Sequence, residues 1–280
     1  MSLTPLKRFA DLHLHTLFSD GTYTPEELIS RSLKAGLSAI AVVDHDTVEG
    51  INPAIAEAKD KDLEVLSGVE LSAAYNDREV HILGYMIDQE NKSLLKKLGA
   101  LRENRVERVY KMAIKLKGLG INLDPQKVFD LAGKGTVGRL HVARALVKEG
   151  LCRSLSEVFQ KYIGDNGPAY VLGFRFSPKD AIKFIKDSGG VPVLAHPYTL
   201  HNDELIAEFT KLGLMGLEVY YPEHSQGMVN FYLELAKKNN LLITGGSDCH
   251  GLAKPEVRLG SIKVPYDLVE KLKAAKEDLK

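Results

Sequence analysis

The sequence predicts an α/β barrel interrupted by a helical insertion. Short apolar runs alternate with helical patterns from the start of the chain, and these runs stop between about residues 92 and 165. They then resume, with polar motifs at their ends on both sides of the break. Two tandem domains would not share motifs across the break in this way. At 280 residues the chain has the length of one barrel-sized domain with an insertion.

The elements follow in order. FADLHLH (9–15) has the alternation of a strand. TPEELISRSLKAG (24–36) follows as a helix, with a Thr cap, Pro at the first helical position, early glutamates and a closing Gly. The unit repeats when SAIAVV (38–43) precedes the helical pattern of residues 44–62. EVLSGVEL (64–71) then leads through a Tyr75-Asn76-Asp77 turn to EVHILGYMI (79–87). Such punctuation predicts a mostly parallel sheet. Residues 93–120 carry Leu, Val, Met and Ile at helical spacing, and 124–133 and 140–150 read as further helices. Strand-like runs return at GVPVLAH (190–196), LMGLEVYY (214–221) and LLITGGSD (241–248). The division expected is a barrel of residues 1–91 and 166–280, with a helical cap of residues 92–165.

Composition narrows the function classes. Lys plus Arg equals Asp plus Glu at 37 each, so no global field recruits nucleic acid or a membrane. The balance is local: residues 102–148 hold 11 Lys or Arg against 4 Asp or Glu, as suits a lid over an anion. Cys152 and Cys249 are too few for a disulfide framework, and no basic-then-apolar leader opens the chain; both point to the cytoplasm. No apolar stretch approaches the ~18 residues that span a bilayer, and no obligate protein partner is evident.

The ends of the strand-like runs carry an unusual set. His13, His15 and Asp20 follow the first, Asp44, His45 and Asp46 the second, Glu70 the third and His81 the fourth. His196 closes the run after the insertion, and Asp248 and His250 the last. Six of the nine histidines are in this set. Alternate strand residues share a face, so His13 and His15 point the same way, with Asp11 in line behind them. Each feature alone has a plainer reading: Asp44 to Asp46 as a helix cap, Glu70 as a lysine partner, His81 as a core imidazole. Coincidence at every strand end does not explain the whole.

Parallel barrels place their active sites where strands end, so these side chains should converge on one mouth. Imidazoles and carboxylates without thiolates favour Mn, Fe or Zn at an open catalytic site. In an extended segment Cys249 points away from Asp248 and His250, so it is not counted as a ligand. Six histidines and three carboxylates exceed what one metal uses; two or three divalent ions are expected, of a kind that activates water and clamps a phosphoryl group.

HLHTLFSDG, VDHD, GVEL, VHILGY, LAHP and GSDCH, in this order and spacing, resemble the motifs of the PHP (polymerase and histidinol phosphatase) family of metal-dependent phosphoesterases. The likeness spans nearly the whole chain and implies a distorted seven-stranded (β/α) TIM-like barrel. It implies one metal on His13, His15, Glu70 and Asp248, a second sharing Glu70 with His81 and His196, and a third on Asp20, His45 and His250. Asp11, Asp44 and Asp46 would then stand behind the ligands, orienting imidazoles through their distal N–H groups.

Within the family the insertion resembles that of the nucleotide phosphatase branch, whose members remove the 3'-phosphate of 3',5'-bisphosphonucleotides and in some cases trim short RNA from the 5' end. By that resemblance Arg139 and His141 in GRLHVARAL would grip a phosphate, and His224 in VYYPEHS would contact substrate. An Arg fork suits a phosphate in a way a lysine does not. Relatives commonly carry a lysine before the Pro-Ala-Tyr of the insertion, where this chain reads Gly164-Asp165-Asn166-Gly167-Pro168; Arg175 or Lys161 is the expected substitute.

The activity implied is hydrolysis of a phosphomonoester by a metal-bridging hydroxide, with Arg139 on the phosphate and proton transfer at Asp248 or His250. The rivals are a 5'-to-3' exoribonuclease acting on short RNA, a histidinol-phosphate phosphatase, whose cationic substrate suits a basic lid poorly, and a non-catalytic phosphate-binding module.

Overall fold

Burial on both faces explains why the first strand reads as nearly continuous core. The computed structural model describes residues 7–76, 78–173 and 176–279. In β1 (Phe9–Leu14) every residue after the first is inaccessible to water, Asp11 and His13 included. β2 (Ala39–Val42) pairs parallel with it, and β3 (Glu64–Tyr75) pairs parallel with β2. Between them α1 (Pro25–Lys34) starts on the Thr24 capping box with Glu27, and α2 (Ile51–Ala58) follows β2.

β4 (Arg78–Tyr85) departs from the expected parallel order. It folds back on β3 as an antiparallel hairpin and pairs antiparallel with β5 (Val191–Leu194) as well. The left-handed backbone of Asn76 (φ 47°) makes the tight reversal; Asp77 of the expected turn lies outside the described residues. Because β4 runs backwards, His81 sits inside the strand rather than at its end, yet reaches the end of the barrel where the parallel strands finish.

Parallel pairing resumes through β6 (Gly216–Tyr220) and β7 (Leu242–Gly245). Strand order is β7-β6-β5-β4-β3-β2-β1-β8, eight strands rather than the seven expected. The additional strand, β8 (Val264–Pro265), is two residues long and lies antiparallel against β1, with no apolar run to announce it. A bridge between Leu14 and Cys249, with the His15 N–H donating to the Cys249 carbonyl at 3.2 Å, draws the two ends of the sheet together into a nearly closed barrel.

Helices pack on this sheet in two layers of core. One cluster joins Ile40, Val42 and Leu194 to Leu28 and Ile29 of α1, and to Ile185 of α7 (Pro178–Asp187). A second joins Leu12, Val43 and Tyr85 to Val269 and Leu272 of α10 (Asp267–Glu277). Between them in the chain, α8 (Glu204–Lys211) and α9 (Gln226–Lys238) complete the β/α alternation.

Residues 92–163 form helices joined by turns, with no strand among these described residues: α3 (Lys92–Gly118), α4 (Pro125–Ala132), α5 (Arg139–Lys148), α6 (Leu155–Val158) and a π-helical turn over Phe159–Ile163. They share a core of their own, in which Leu116 of α3 meets Val128, Leu146 and Ile163. The 27-residue α3 also returns to the barrel, where Arg105 donates to Asp46 Oδ2 (Nε, 2.7 Å) and to Ser72 Oγ (2.7 Å). Among the described residues no helix is long and apolar enough to cross a membrane.

Candidate metal centre

Glu70 ends up with five imidazoles around one carboxylate. Its Oε2 lies 3.2 Å from His13 Nε2, His15 Nε2 and His45 Nδ1. Its Oε1 lies 2.7 Å from His81 Nδ1 and 3.1 Å from His196 Nε2. Asp248 Oδ1 approaches His15 Nε2 at 3.0 Å and His13 Nε2 at 3.4 Å, and Asp20 Oδ1 approaches His250 Nε2 at 3.1 Å. All nine expected ligands therefore meet at one end of the barrel.

Single atoms from His13, His15, Glu70 and Asp248 lie within 4.8 Å of one another, as do atoms of His15, Asp20, His45 and His250, and of His45, Glu70 and His81. Backbone shape contributes: Asp46, His196 and Asp248 take positive φ (51°, 27° and 53°), a conformation that costs non-glycine residues energy and turns the chain sharply at strand ends. Cys249 stays out of the cluster, as expected, but the segment is not extended as that expectation assumed, because Asp248 is left-handed. Gly246 allows β7 to press against β1, since a Cβ there would fall 2.3 Å from His13 N.

Protein groups alone do not satisfy this cluster. His15 Nε2, Asp20 Oδ1, His45 Nδ1 and His81 Nδ1 are buried and make no well-formed hydrogen bond, although charged neighbours lie within 4 Å of each. A polar atom left so costs about 1–3 kcal/mol. Hard and borderline donors aimed at shared points fit divalent ions. Without metal the charges polarise one another. Burial pushes Glu70 up, but His45, His81 and His13 outweigh it and hold the carboxyl well below its usual range. Burial also lowers His15 and His81, yet Asp248 and Glu70 beside His15, and Glu70 and Glu79 beside His81, raise both to about 9. Burial takes His45 down to about 3 against the pull of Glu70 and Asp20. Bound cations would displace such protons.

The groups that orient these ligands differ from those expected. Asp11 accepts from Ser247 N and Oγ and Gly260 N, and so ties β1 to the loops after β7. Asp44 accepts from Thr16 N, Thr16 Oγ1 and Ser19 Oγ, so only the Ser19 hydroxyl, 3.4 Å from His15 Nδ1, links it to an imidazole. Asp46 is bound by Arg105 and by Ser72 N. None of the three receives a ring N–H directly, because each is turned toward backbone or hydroxyl donors of the loops it braces.

The orienting carboxylates are instead Glu218, whose Oε1 lies 2.8 Å from His13 Nδ1, and Glu79, 2.9 Å from His81 Nε2. Tyr221 O–H donates to Asp248 Oδ2 at 2.8 Å, and Lys254 Nζ lies 3.3 Å from the same oxygen. The sequence pattern marks histidines and acids at strand ends, so it passed over Glu218 and Glu79 inside their strands, Tyr221 by residue type and Lys254 beyond the last run. A carboxylate inside the apolar run GLEVY was the one available signal for Glu218.

A cleft of about 170 Å³ opens beside the cluster, lined by Asp20, His45 and His81 on the barrel side and by Arg105, Arg139 and Lys254 around it. Arg139 pairs with Glu79 Oε2 and with Asp165 Oδ1, each at 2.6 Å. His141 is buried behind this wall, where its Nδ1 accepts the Gly138 N–H at 3.1 Å. His224 lies behind Tyr221, its Nδ1 2.8 Å from the Val219 carbonyl, with its ring against Tyr198 and Tyr232. Lys161 is exposed and pairs with Glu157 along its own helical turn, so it does not supply the expected cation. Arg175 lies outside the described residues.

Comparison with known proteins agrees with this geometry. The PHP domain matches residues 11–126. A 3',5'-nucleoside bisphosphate phosphatase of Chromobacterium violaceum is 34% identical over 250 residues, 86% of each chain. The 5'-3' exoribonuclease Rnm of Escherichia coli is 34% identical over 257 residues, 89% of this chain and 88% of that protein. A crystal structure from Bifidobacterium adolescentis, assigned by inference as a metal-dependent phosphoesterase, superposes with a TM-score of 0.86 at 31% identity over 96% of both chains.

Proposed function

Given that the chain belongs to the PHP family of metal-dependent phosphoesterases, we propose that it hydrolyses the 3'-phosphate of 3',5'-bisphosphonucleotides. The observation that carries this reading is the convergence of Glu70 and eight other candidate metal ligands beside a cleft walled by cations. His13, His15, Glu70 and Asp248 would hold one ion, Glu70 with His81 and His196 a second, and Asp20, His45 and His250 a third. The N/O donor set suits Mn, Fe or Zn. When bound, such ions lower the pKa of water and neutralise phosphoryl oxygens.

The chain's own groups do the remaining work. Glu218 and Glu79 fix which ring nitrogen of His13 and His81 faces the ions. Tyr221 holds Asp248 so that one oxygen faces the cluster, and Asp248 is the acceptor assigned to the proton of the attacking water. Arg139, at the first turn of α5, presents a planar fork to the substrate's second phosphate. His141 anchors Gly138 behind it. The helices of residues 92–163 act as the cap that closes over a small phosphorylated ligand, and His224 supports the aromatic wall that carries Tyr221. The two cysteines, both buried and unpaired, accord with a reducing cytoplasm.

A second reading, 5'-to-3' removal of nucleotides from short RNA, uses the same centre and is favoured by the identity with Rnm. A histidinol phosphate would bring a cationic amine against Arg105 and Arg139, which disfavours it. The deciding assay supplies Mn and measures phosphate released from 3',5'-bisphosphoadenosine, with and without competing 5'-phosphorylated oligoribonucleotide. Release that is abolished in His15→Ala supports the proposal. Release that survives His15→Ala removes the cluster from the mechanism, and strong competition by the oligonucleotide selects the second reading.

A further inference from the structure

The two oxygens of Asp248 serve different neighbours. Oδ1 faces His13, His15 and His250, at 3.4, 3.0 and 3.5 Å from their nearest ring nitrogens. Oδ2 accepts from Tyr221 and lies 3.3 Å from Lys254 Nζ. Lys254 follows the short 3₁₀ turn Gly251–Ala253 that leads out of the Asp248-Cys249-His250 segment. Its side chain is 33% exposed, and it lines the cleft, so the ammonium keeps an open side toward whatever enters.

The arginines on this wall pair with acids outside the proposed ligand set, Arg108 with Glu79. Arg105 is held by Asp46, and Arg139 by Glu79 and Asp165. The ion pair of Lys254 is with Asp248, itself a proposed ligand, whose charge a bound ion would draw toward Oδ1. A phosphate dianion entering the cleft approaches Asp20, Glu70 and Asp248, and a cation between Asp248 and the phosphate offsets that repulsion. An ammonium on a flexible stem, with three rotatable donors, can serve Asp248 and a phosphoryl oxygen at once.

We propose that Lys254 binds the phosphoryl group under attack, donating to one of its non-bridging oxygens while Tyr221 retains Asp248 Oδ2. This rests on the reading of the cluster as a phosphomonoesterase. It also identifies a cation in this cleft in a chain that lacks a lysine before Pro168.

The test uses the metal-loaded enzyme and its Lys254→Gln and Lys254→Arg variants, with metal content measured in each. Inorganic phosphate is the probe, through its inhibition constant, alongside kcat and KM on a nucleoside 3'-phosphate. At unchanged metal content, Lys254→Gln is expected to weaken phosphate binding and lower kcat/KM by about 10- to 100-fold, as for loss of one charge-assisted hydrogen bond, with partial recovery in Lys254→Arg. A phosphate constant within about twofold of the parent's overturns the proposal. Loss of metal from Lys254→Gln also overturns it, because Lys254 would then be serving Asp248 rather than substrate. Failure of the parent to turn over nucleotides would overturn the substrate reading instead, and the phosphate constants would still decide the role of Lys254.

Discussion

Glu218 Oε1 lies 2.8 Å from His13 Nδ1 across the inside of the barrel, joining β6 to β1. Both residues are inaccessible to water. A carboxylate only accepts, so Nδ1 carries a proton. Burial lowers the His13 pKa, but Glu218, Glu70 and Asp248 raise it well above its usual value, and a bound cation would displace the proton that Nε2 directs at Glu70 and Asp248. The second oxygen of Glu218 accepts the His196 N–H at 2.8 Å, so one side chain sets the posture of two proposed ligands.

Replacing Glu218 with Gln therefore loosens the centre without emptying the core. An amide can rotate its NH₂ toward His13 and stabilise the wrong tautomer. Metal affinity is expected to fall by about 10- to 100-fold, in line with loss of a ligand-orienting partner. Competition against a chelator of known affinity measures this directly, and unchanged affinity would show that His13 needs no such guide.

Gly246→Ala tests the close approach of β7 and β1. The added methyl would sit 2.3 Å from His13 N and 2.5 Å from His13 Cβ, backbone-fixed atoms with little room to yield. A destabilisation of at least about 1–3 kcal/mol is expected, accompanied by weaker metal binding. Gly99→Ala is the contrast. It lies inside α3 with nothing within 4 Å of the new methyl, so a gain of about 0.5–1 kcal/mol is expected. Urea unfolding of the two variants, shifting in opposite directions, checks both statements.

His141 predicts the sign of one pH effect. Burial lowers its pKa to about 4 despite the attraction of Asp20, and its Nδ1 must stay unprotonated to accept the Gly138 N–H. Unfolded histidine titrates near 6.5. The folded state thus binds this proton less readily, and the stability it contributes is full above about pH 6.5 and lost as pH falls toward 4. At most about 3 kcal/mol is involved. In metal-free protein, His141→Gln should keep an acceptor for Gly138 and flatten the acid limb between pH 6.5 and 4 by one proton. An acid limb that coincides with the parent's would mean that His141 does not titrate in this window.

Much of the centre was legible along the chain because most of its candidate ligands sit at strand ends. There a two-residue spacing fixes a shared face, as for His13 and His15, and a short motif fixes the local turn. His81 was legible as a residue but not in its setting, since nothing in EVHILGYMI says that the strand runs backwards. Glu79 and Lys254 carried no motif, and in VYYPEHS the family resemblance singled out His224 and not Tyr221. Glu218 meets His13 across 205 positions, a separation that no periodicity encodes.

By itself the sequence determined the β/α alternation, the helical interruption after residue 91, the histidines and acids that converge, and the family. These follow from local spacing, side-chain chemistry and short motifs, which survive without knowledge of the fold. Only the tertiary structure decided the antiparallel β4, the two-residue eighth strand, the carboxylates that orient His13 and His81, and the placement of Lys254 on the cleft. Those depend on how distant segments pack, and packing is settled by burial and hydrogen-bond satisfaction over the whole barrel.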